Sequence, residues 1–288
     1  MSRLRFFSLA GAMVLALAVA VAACGDDSAP LTGSIHIDGS GTVAPLTKAI
    51  ARRFVAEHPD VRITVGTSGA VVGADEISVP VVNDAVVLMV HRTNPVRCLT
   101  TTQLRQIWHG NSEVTERWSQ VDDLDPPYDG DLTAWGTGTD TETFAFFTKA
   151  VNHNEGETRD YNNSLHREAL PVEMIAGTVG FFGYAGYRYY AARARTVKAI
   201  AVDSGEGCVA PSPETIANGS FRPLSRRLFV SLPAADLARP TMKAFLQFYL
   251  DNAQDVASEV GFVPLTDEQL AETETRLERL VAKASRPS

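Results

Sequence analysis

Apolar positions along the chain follow two rhythms, and the way these alternate sets the fold class. Ser34–Ile37 reads as a short strand and is followed by the turn Asp38-Gly39-Ser40-Gly41-Thr42. Pro45 then stands in a first helical turn, where its missing N–H costs nothing. Leu46, Ile50 and Phe54 recur at i, i+4 and i+8 until His58-Pro59 stops the helix. Val61–Val65 alternates as a second strand and runs into Gly66-Thr67-Ser68-Gly69-Ala70. The opening is strand, glycine-serine loop, helix, strand, glycine-serine loop. That order predicts an α/β fold with a predominantly parallel sheet.

Further along, Ile77–Val90 is nearly continuous β-branched sequence, long enough for two strands or for one that leaves a first lobe. Thr100–Trp108 is helical, with Leu104, Ile107 and Trp108 as its apolar face, and Val114–Pro127 is an acidic loop region. Leu132–Trp135 is another strand. It leads through Gly136-Thr137-Gly138-Thr139-Asp140-Thr141-Glu142-Thr143 into a helix carrying Phe144, Phe147 and Val151. Val197–Val202 and Leu228–Leu232 are later strands; Pro240–Asn252 and Asp267–Ala284 are helices.

One apolar run has a different meaning. Leu9–Ala23 follows Arg3 and Arg5, is short for a membrane span, and has the length of a signal-peptide core. It ends in Val21-Ala22-Ala23-Cys24, which resembles the lipobox of bacterial lipoproteins. Residues 1–23 are thus expected to be a signal peptide, Cys24 the lipidated first residue, and residues 24–33 a polar tether. The whole chain carries −8, which falls to −10 once Arg3 and Arg5 are removed. An acidic surface disfavours nucleic acid or an anionic membrane as partner, so the only membrane contact expected is the lipid. With Cys24 lipidated, Cys98 and Cys208 have one possible intramolecular pairing. A bridge closing so long a loop stabilises by about 4 kcal/mol in the chain-entropy model. The alternative, a metal site, lacks a Cys-x-x-Cys or a nearby histidine pair.

Three loops share one design: a strand ends, then glycine, serine and threonine follow, and in two of them a helix begins. Glycine lets the backbone turn its N–H groups toward a ligand, and hydroxyls add donors. A helix N-terminus brings further free N–H groups and a partial positive charge. Such loops can hold an oxyanion without a basic surface.

These loops carry a family resemblance. Asp38-Gly39-Ser40-Gly41-Thr42-Val43-Ala44-Pro45-Leu46, Val65-Gly66-Thr67-Ser68-Gly69 and Gly138-Thr139-Asp140-Thr141-Glu142-Thr143-Phe144 resemble the phosphate-binding lipoproteins of ABC transporters. So do Cys98-Leu99-Thr100, Gly180-Phe181-Phe182-Gly183-Tyr184-Ala185 and Gly207-Cys208-Val209-Ala210-Pro211-Ser212, and Leu224-Ser225-Arg226-Arg227-Leu228-Phe229 looks like the family's return strand. The resemblance implies a two-lobed periplasmic-binding-protein fold of the class II type. Its ligand cleft lies between lobes joined by two hinge strands, near Val86–His91 and Leu228–Leu232, and closes by hinge motion. Residues 34–90 plus 224–288 would form lobe 1, and 91–223 lobe 2. It also implies a Cys98–Cys208 bridge and inorganic phosphate as ligand. The phosphate would be contacted by Thr42 and the Val43 N–H, by Ser68, and by Thr141 and Thr143. The partner would be the permease of an ABC transporter, with the protein monomeric, free of cofactor, and lipid-anchored on the extracytoplasmic face of the membrane.

Two departures stand out. The family normally follows its second loop with a helix, a strand and an Asp…Ala-Ser-Arg segment, whereas here Gly73-Ala74-Asp75-Glu76 runs directly into Ile77. The carboxylate that accepts the phosphate proton, and an accompanying arginine, therefore have no counterpart at that place. In the third loop Glu142 stands where the family has glycine. Like charges about 5 Å apart at an effective dielectric near 20 cost roughly 3 kcal/mol, or about a hundredfold in affinity. Glu142 either faces solvent and favours the helix N-terminus, or replaces the missing proton acceptor and so joins the ligand set. A degenerate relative that has lost phosphate and serves as a surface interaction or sensing protein is the alternative function.

Other chemistries find less support. The six histidines are scattered, without a His-x-x-x-His pair, and there is no Gly-x-Ser-x-Gly elbow, so an enzyme is not expected. Asp122, Asp123 and Asp125 lack the spacing and glycine of a calcium loop. Phe181, Phe182, Tyr184, Tyr187, Tyr189 and Tyr190 are read as core and packing residues.

Overall fold

The long β-branched run becomes one strand that passes through the middle of the molecule. The computed structural model describes residues 30–67, 76–112, 115–164 and 167–284; Cys24, residues 25–29 of the expected tether and Ser68 lie outside the described residues, while Gly33, the last residue of the expected tether, already begins the first strand. Chain order is β1 (Gly33–Gly39), α1 (Ala44–Glu57), β2 (Val61–Val65), β3 (Glu76–His91), β4 (Cys98–Thr100) and α2 (Thr101–Trp108). Then come β5 (Thr133–Thr137), α3 (Glu142–Asn152), β6 (Asn162–Ser164), α4 (Leu170–Gly177), β7 (Phe181–Gly186) and α5 (Tyr187–Ala191). The remainder is β8 (Val197–Ala199), β9 (Ala201–Asp203), β10 (Cys208–Val209), α6 (Pro213–Ala217), β11 (Ser225–Pro233), α7 (Pro240–Glu259) and α8 (Asp267–Ala284). Leu31–Ser288 forms one compact unit, and of the other, Met1–Pro30, only Pro30 is described. Among the described residues no helix is long and apolar enough to cross a membrane.

The main sheet runs β2-β1-β11-β3-β7-β5-β6, with β8 also paired to β3. It is mixed, not predominantly parallel. β1–β2, β5–β6 and β5–β7 are parallel, but β11 and β3 lie antiparallel to each other and to their outer neighbours β1 and β7. The reason is topological: β3 and β11 travel in opposite senses through the centre, so the parallel α/β units can only be added outside them. Val197–Val202 proves to be two strands, since β8 pairs with β3 while β9 joins the small sheet β10-β9-β4. The Cys98–Cys208 bridge joins the two outer strands of that small sheet, closing a separation of 110 residues.

Two large apolar cores flank a polar crossing. The first gathers Ile35 and Ile37 of β1, Leu46, Ile50 and Phe54 of α1, and Phe245 and Tyr249 of α7. The second gathers Trp108, Phe147, Phe182 and Tyr184, with Trp108 edge-on to Phe147 at 5.2 Å and Phe147 stacked on Tyr184 at 3.8 Å. Along β3 the first core ends at Val82 and the second begins at Ala85; along β11 they part between Leu224 and Leu228. The change of core therefore falls at Asn83–Asp84 and Ser225–Arg227, and Val86, Leu88 and Val90 pack with the second core. Asn83 is clamped there by Val263 through the backbone, and its amide donates to the Pro264 carbonyl and to Gln269 Oε1, both at 2.8 Å.

Candidate functional site: two loops and a hinge ion pair

The first loop leaves β1 between two close approaches. A side chain on Gly39 would sit 2.9 Å from Val43 Cγ1 and 3.3 Å from the Phe229 carbonyl, and one on Gly66 would strike the Asp38 carboxylate at 2.8 Å. Bare backbone at both positions lets the start of the second loop lie against the first. The Gly66 N–H donates to the Ile37 carbonyl at 2.9 Å, and Asp38 Oδ1 accepts from the Gly39 N–H at 2.7 Å. The Val43 N–H donates to Ser40 Oγ at 3.1 Å, so this sequence-predicted donor is committed within the loop. Thr42 is buried and its hydroxyl has no partner among the described residues.

The third loop leaves β5 at Thr137 and is closed by its own hydroxyls. Thr141 caps α3 by accepting from the Phe144 N–H at 3.1 Å, while its Oγ1 lies 2.8 Å from the Gly138 carbonyl and 2.9 Å from Thr137 Oγ1. A cap of this kind satisfies one of the free N–H groups of the first turn. Thr143 is fully buried and its hydroxyl, like that of Thr42, has no partner among the described residues. Glu142 is half-buried, and it is its carbonyl that is engaged: Arg226 Nη1 donates to it at 3.2 Å. Behind the loop, Tyr161 donates to the Thr137 carbonyl at 2.7 Å, and burial pushes its phenol up to about 12.

Arg226 comes from β11 and sits opposite Asp84 of β3 in the strand register. Its Nε donates to Asp84 Oδ2 at 3.0 Å, its Nη2 lies 3.0 Å from the same oxygen, and its guanidinium covers the Phe146 ring at 4.8 Å. Asp84 is fully buried, and burial raises its carboxyl above the ordinary value against the opposing pull of Arg226 and the Ala85 N–H. Glu168, hydrogen-bonded to Tyr189 and close enough to feel Arg226 and Asp84, is likewise raised by burial.

Of the predicted ligands, then, Thr42 and Thr143 carry buried uncommitted hydroxyls, Val43 and Thr141 are engaged inside their own loops, and Ser68 lies outside the described residues. The hinge pair was missed. Its signal was present, since Asn83-Asp84 is a polar dipeptide inside the apolar run Ile77–Val90.

Comparison with known proteins agrees with this architecture. A family model described as a PBP superfamily domain matches residues 70–253. The protein SphX of Synechocystis is 32% identical over 268 residues, covering 82% of this chain and 79% of its own. The phosphate-binding protein PstS of Staphylococcus epidermidis is 26% identical over 295 residues, covering 89% and 88%. The crystal structure of a possible phosphate-binding protein from Planctomyces limnophilus superposes with a TM-score of 0.70 at 28% identity, over 87% of this chain and 99% of that one.

Proposed function

This chain belongs to the PBP superfamily, and on that premise we propose that it is the receptor that captures inorganic phosphate outside the cytoplasm for an ABC permease. One observation carries the reading: Thr42, in the loop between β1 and α1, and Thr143, in the first turn of the α3 that follows β5, each hold a buried hydroxyl with no partner among the described residues. Buried hydroxyls are nearly always hydrogen-bonded, so a pair left open beside two helix N-termini has the donors an oxyanion needs. Ser68 of the second loop and the Glu142 side chain complete the proposed ligand set. Similarity to the phosphate-binding protein PstS of Staphylococcus epidermidis and to the possible phosphate-binding protein from Planctomyces limnophilus supports phosphate as the anion. In this reading Cys24 carries the lipid that keeps the receptor beside its permease, and the lobes, 34–90 with 224–288 and 91–223, close on the ligand.

Calorimetric titration of the mature protein with phosphate and with sulfate tests the proposal. Phosphate binding at about micromolar affinity or tighter, roughly −8 kcal/mol, is expected, with sulfate much weaker. No heat and no thermal shift at millimolar phosphate would overturn it. The half-buried Glu142 favours a second reading, a family member that no longer binds phosphate and acts as a surface interaction or sensing protein. Under that reading wild-type protein shows no phosphate binding and Glu142→Gly restores it.

A further inference from the structure

Away from the anion loops, one half-buried arginine has a guanidinium that the protein leaves largely open. Arg159 follows α3, and its Nη2 donates to the Thr115 carbonyl at 3.1 Å. Its Nε and Nη1 are buried and have no hydrogen-bond partner among the described residues. The neighbouring acids do not supply one. Asp131 is held by Arg117 Nη1 at 2.9 Å, and Arg117 Nε takes Asp129 at 2.8 Å. Burial lowers the Arg159 guanidinium below its ordinary value, and the Glu116 carboxylate opposes this without a hydrogen bond to it. Open N–H groups on a desolvated cation are costly, so their retention calls for a partner from outside the chain.

Arg159 lines a cavity of about 460 Å³, within the range of small-molecule sites. Three segments close it. The Leu132 N–H donates to the Glu116 carbonyl at 2.6 Å, which joins residues 115–117 to the start of β5. The Asn162 amide donates to the Ala134 carbonyl at 3.3 Å, and Arg159 itself ties residues 159–162 to Thr115. Leu132 and Ala134 are buried and give the cavity an apolar floor, while Glu116 and Asp160 are exposed along it. Neither of these two acids takes part in an ion pair among the described residues. The cavity adjoins Thr133 at the start of β5, whereas the third loop leaves β5 at Thr137. Four steps along a strand put about 13 Å between the two.

We propose that this cavity is a second ligand site, for a small zwitterion of the amino-acid type, with Arg159 taking its carboxylate and Glu116 and Asp160 its ammonium group. A carboxylate supplies the acceptor that the guanidinium lacks, and charge-assisted bonds of this kind are the strong ones. Phosphate does not suit the site: a dianion would meet two free carboxylates with one open cation to offset them. An ammonium group on the ligand turns the same two acids into partners. The apolar floor of Leu132 and Ala134 receives the ligand's side chain. This site is independent of the phosphate reading and stands without it.

Nuclear magnetic resonance of the Arg159 Nε–H tests this, on the mature protein titrated with each of the common amino acids to about 10 mM. At least one of them should shift that resonance saturably and raise the melting temperature. Its deaminated and decarboxylated analogues should each bind about tenfold more weakly, because each lacks one of the two charges. Arg159→Met, similar in length and uncharged, should abolish the binding. Its unliganded melting temperature should stay level or rise, since it removes a desolvated cation without an acid partner. Glu116→Gln/Asp160→Asn should narrow the preference for the amino acid over its deaminated analogue by about tenfold. The absence of a saturable shift with every amino acid would overturn the proposal, and that wild-type result answers the question if Arg159→Met does not fold. Amino-acid binding that survives in Arg159→Met, with a lowered melting temperature, would make the arginine a structural tie to Thr115. Equal affinity for the amino acid and its deaminated analogue would overturn the role of the two acids and the zwitterion with it. A wild-type protein that binds an amino acid here and no phosphate would overturn the phosphate reading alone.

Discussion

Thr42 and Thr141 stand in similar settings, each in a glycine- and threonine-rich loop just ahead of a helix, yet the chain uses them in opposite ways. Thr141 closes its loop on itself by capping α3 and contacting the Gly138 carbonyl. Thr42 does nothing of the kind: α1 begins after Val43 with no side-chain cap, and Pro45 in its first turn removes one N–H that would have needed one. The third loop is also held from outside, through Arg226 on the Glu142 carbonyl. The first is held by Ser40 and by tight glycine contacts. A Gly-Ser-Thr loop therefore does not announce which of its hydroxyls is available; that depends on whether the helix it starts has another way to satisfy its first turn.

The contrast can be broken most severely where the second core is cross-linked. Replacing Cys98 and Cys208 with serine releases a 110-residue loop in the unfolded chain, for about 4 kcal/mol in the chain-entropy model. Denaturant titration should show that loss, and hydrogen exchange should show protection falling around β4, β9 and β10 before it falls in α1. A loss below about 1 kcal/mol would mean that the small sheet holds without its staple.

Next in size is Arg226→Ala, which leaves Asp84 buried without its cation and frees the Glu142 carbonyl. Breaking a buried pair from one side costs about 3 kcal/mol or more. The pH dependence gives a sharper check. Because the Asp84 carboxyl is raised by burial, the folded state binds its proton more tightly than the unfolded chain does. Its unfavourable contribution is absent below the ordinary value of 3.8 and sets in as pH rises toward the folded value. Arg226 is the largest opposing influence, so removing it moves the folded value higher still. The deficit of Arg226→Ala should shrink on acidification, measured as melting temperature across the acid range. A deficit independent of pH would mean that lost packing on Phe146, not a bare carboxylate, is responsible.

Much of this was legible in the sequence, and what was not has a common cause. The alternation in Val61–Val65, the i, i+4 spacing of Leu46, Ile50 and Phe54 and the cysteine pairing are local or combinatorial signals, and the structure has β2, α1 and the Cys98–Cys208 bridge where they point. Val197–Val202 reads as one strand because Lys198 alone interrupts its apolar residues; only its partners, β3 for one half and β4 with β10 for the other, divide it. The site follows the same rule. Gly39, Ser40 and Thr42 were recognisable by type, but Asp84 and Arg226 meet only because β3 and β11 pair over a separation of 142 residues. Which hydroxyl is committed and which is open also depends on three-dimensional partners: Thr141 and Thr143 are two residues apart, and only their hydrogen bonds distinguish them.

A milder cut separates the two loops directly. Thr141→Ala removes the cap of α3 and should cost about 1 kcal/mol, read as faster hydrogen exchange at the Phe144 amide and a small drop in melting temperature, with α1 unaffected. Thr42→Val should have the smallest effect on stability of all. Its hydroxyl is buried without a partner, so valine, nearly the same in shape, removes a group that gains nothing in the unliganded protein. Stability is expected to stay unchanged or to rise slightly. Phosphate affinity should move the other way, falling by about tenfold as one hydrogen bond to a charged ligand is lost. A variant that loses stability and keeps its affinity would place Thr42 with Thr141, as a loop-closing residue, and would erase the distinction between the two loops. A loss of affinity in a protein of undiminished stability would mean that the first loop is built around its ligand and the third around itself.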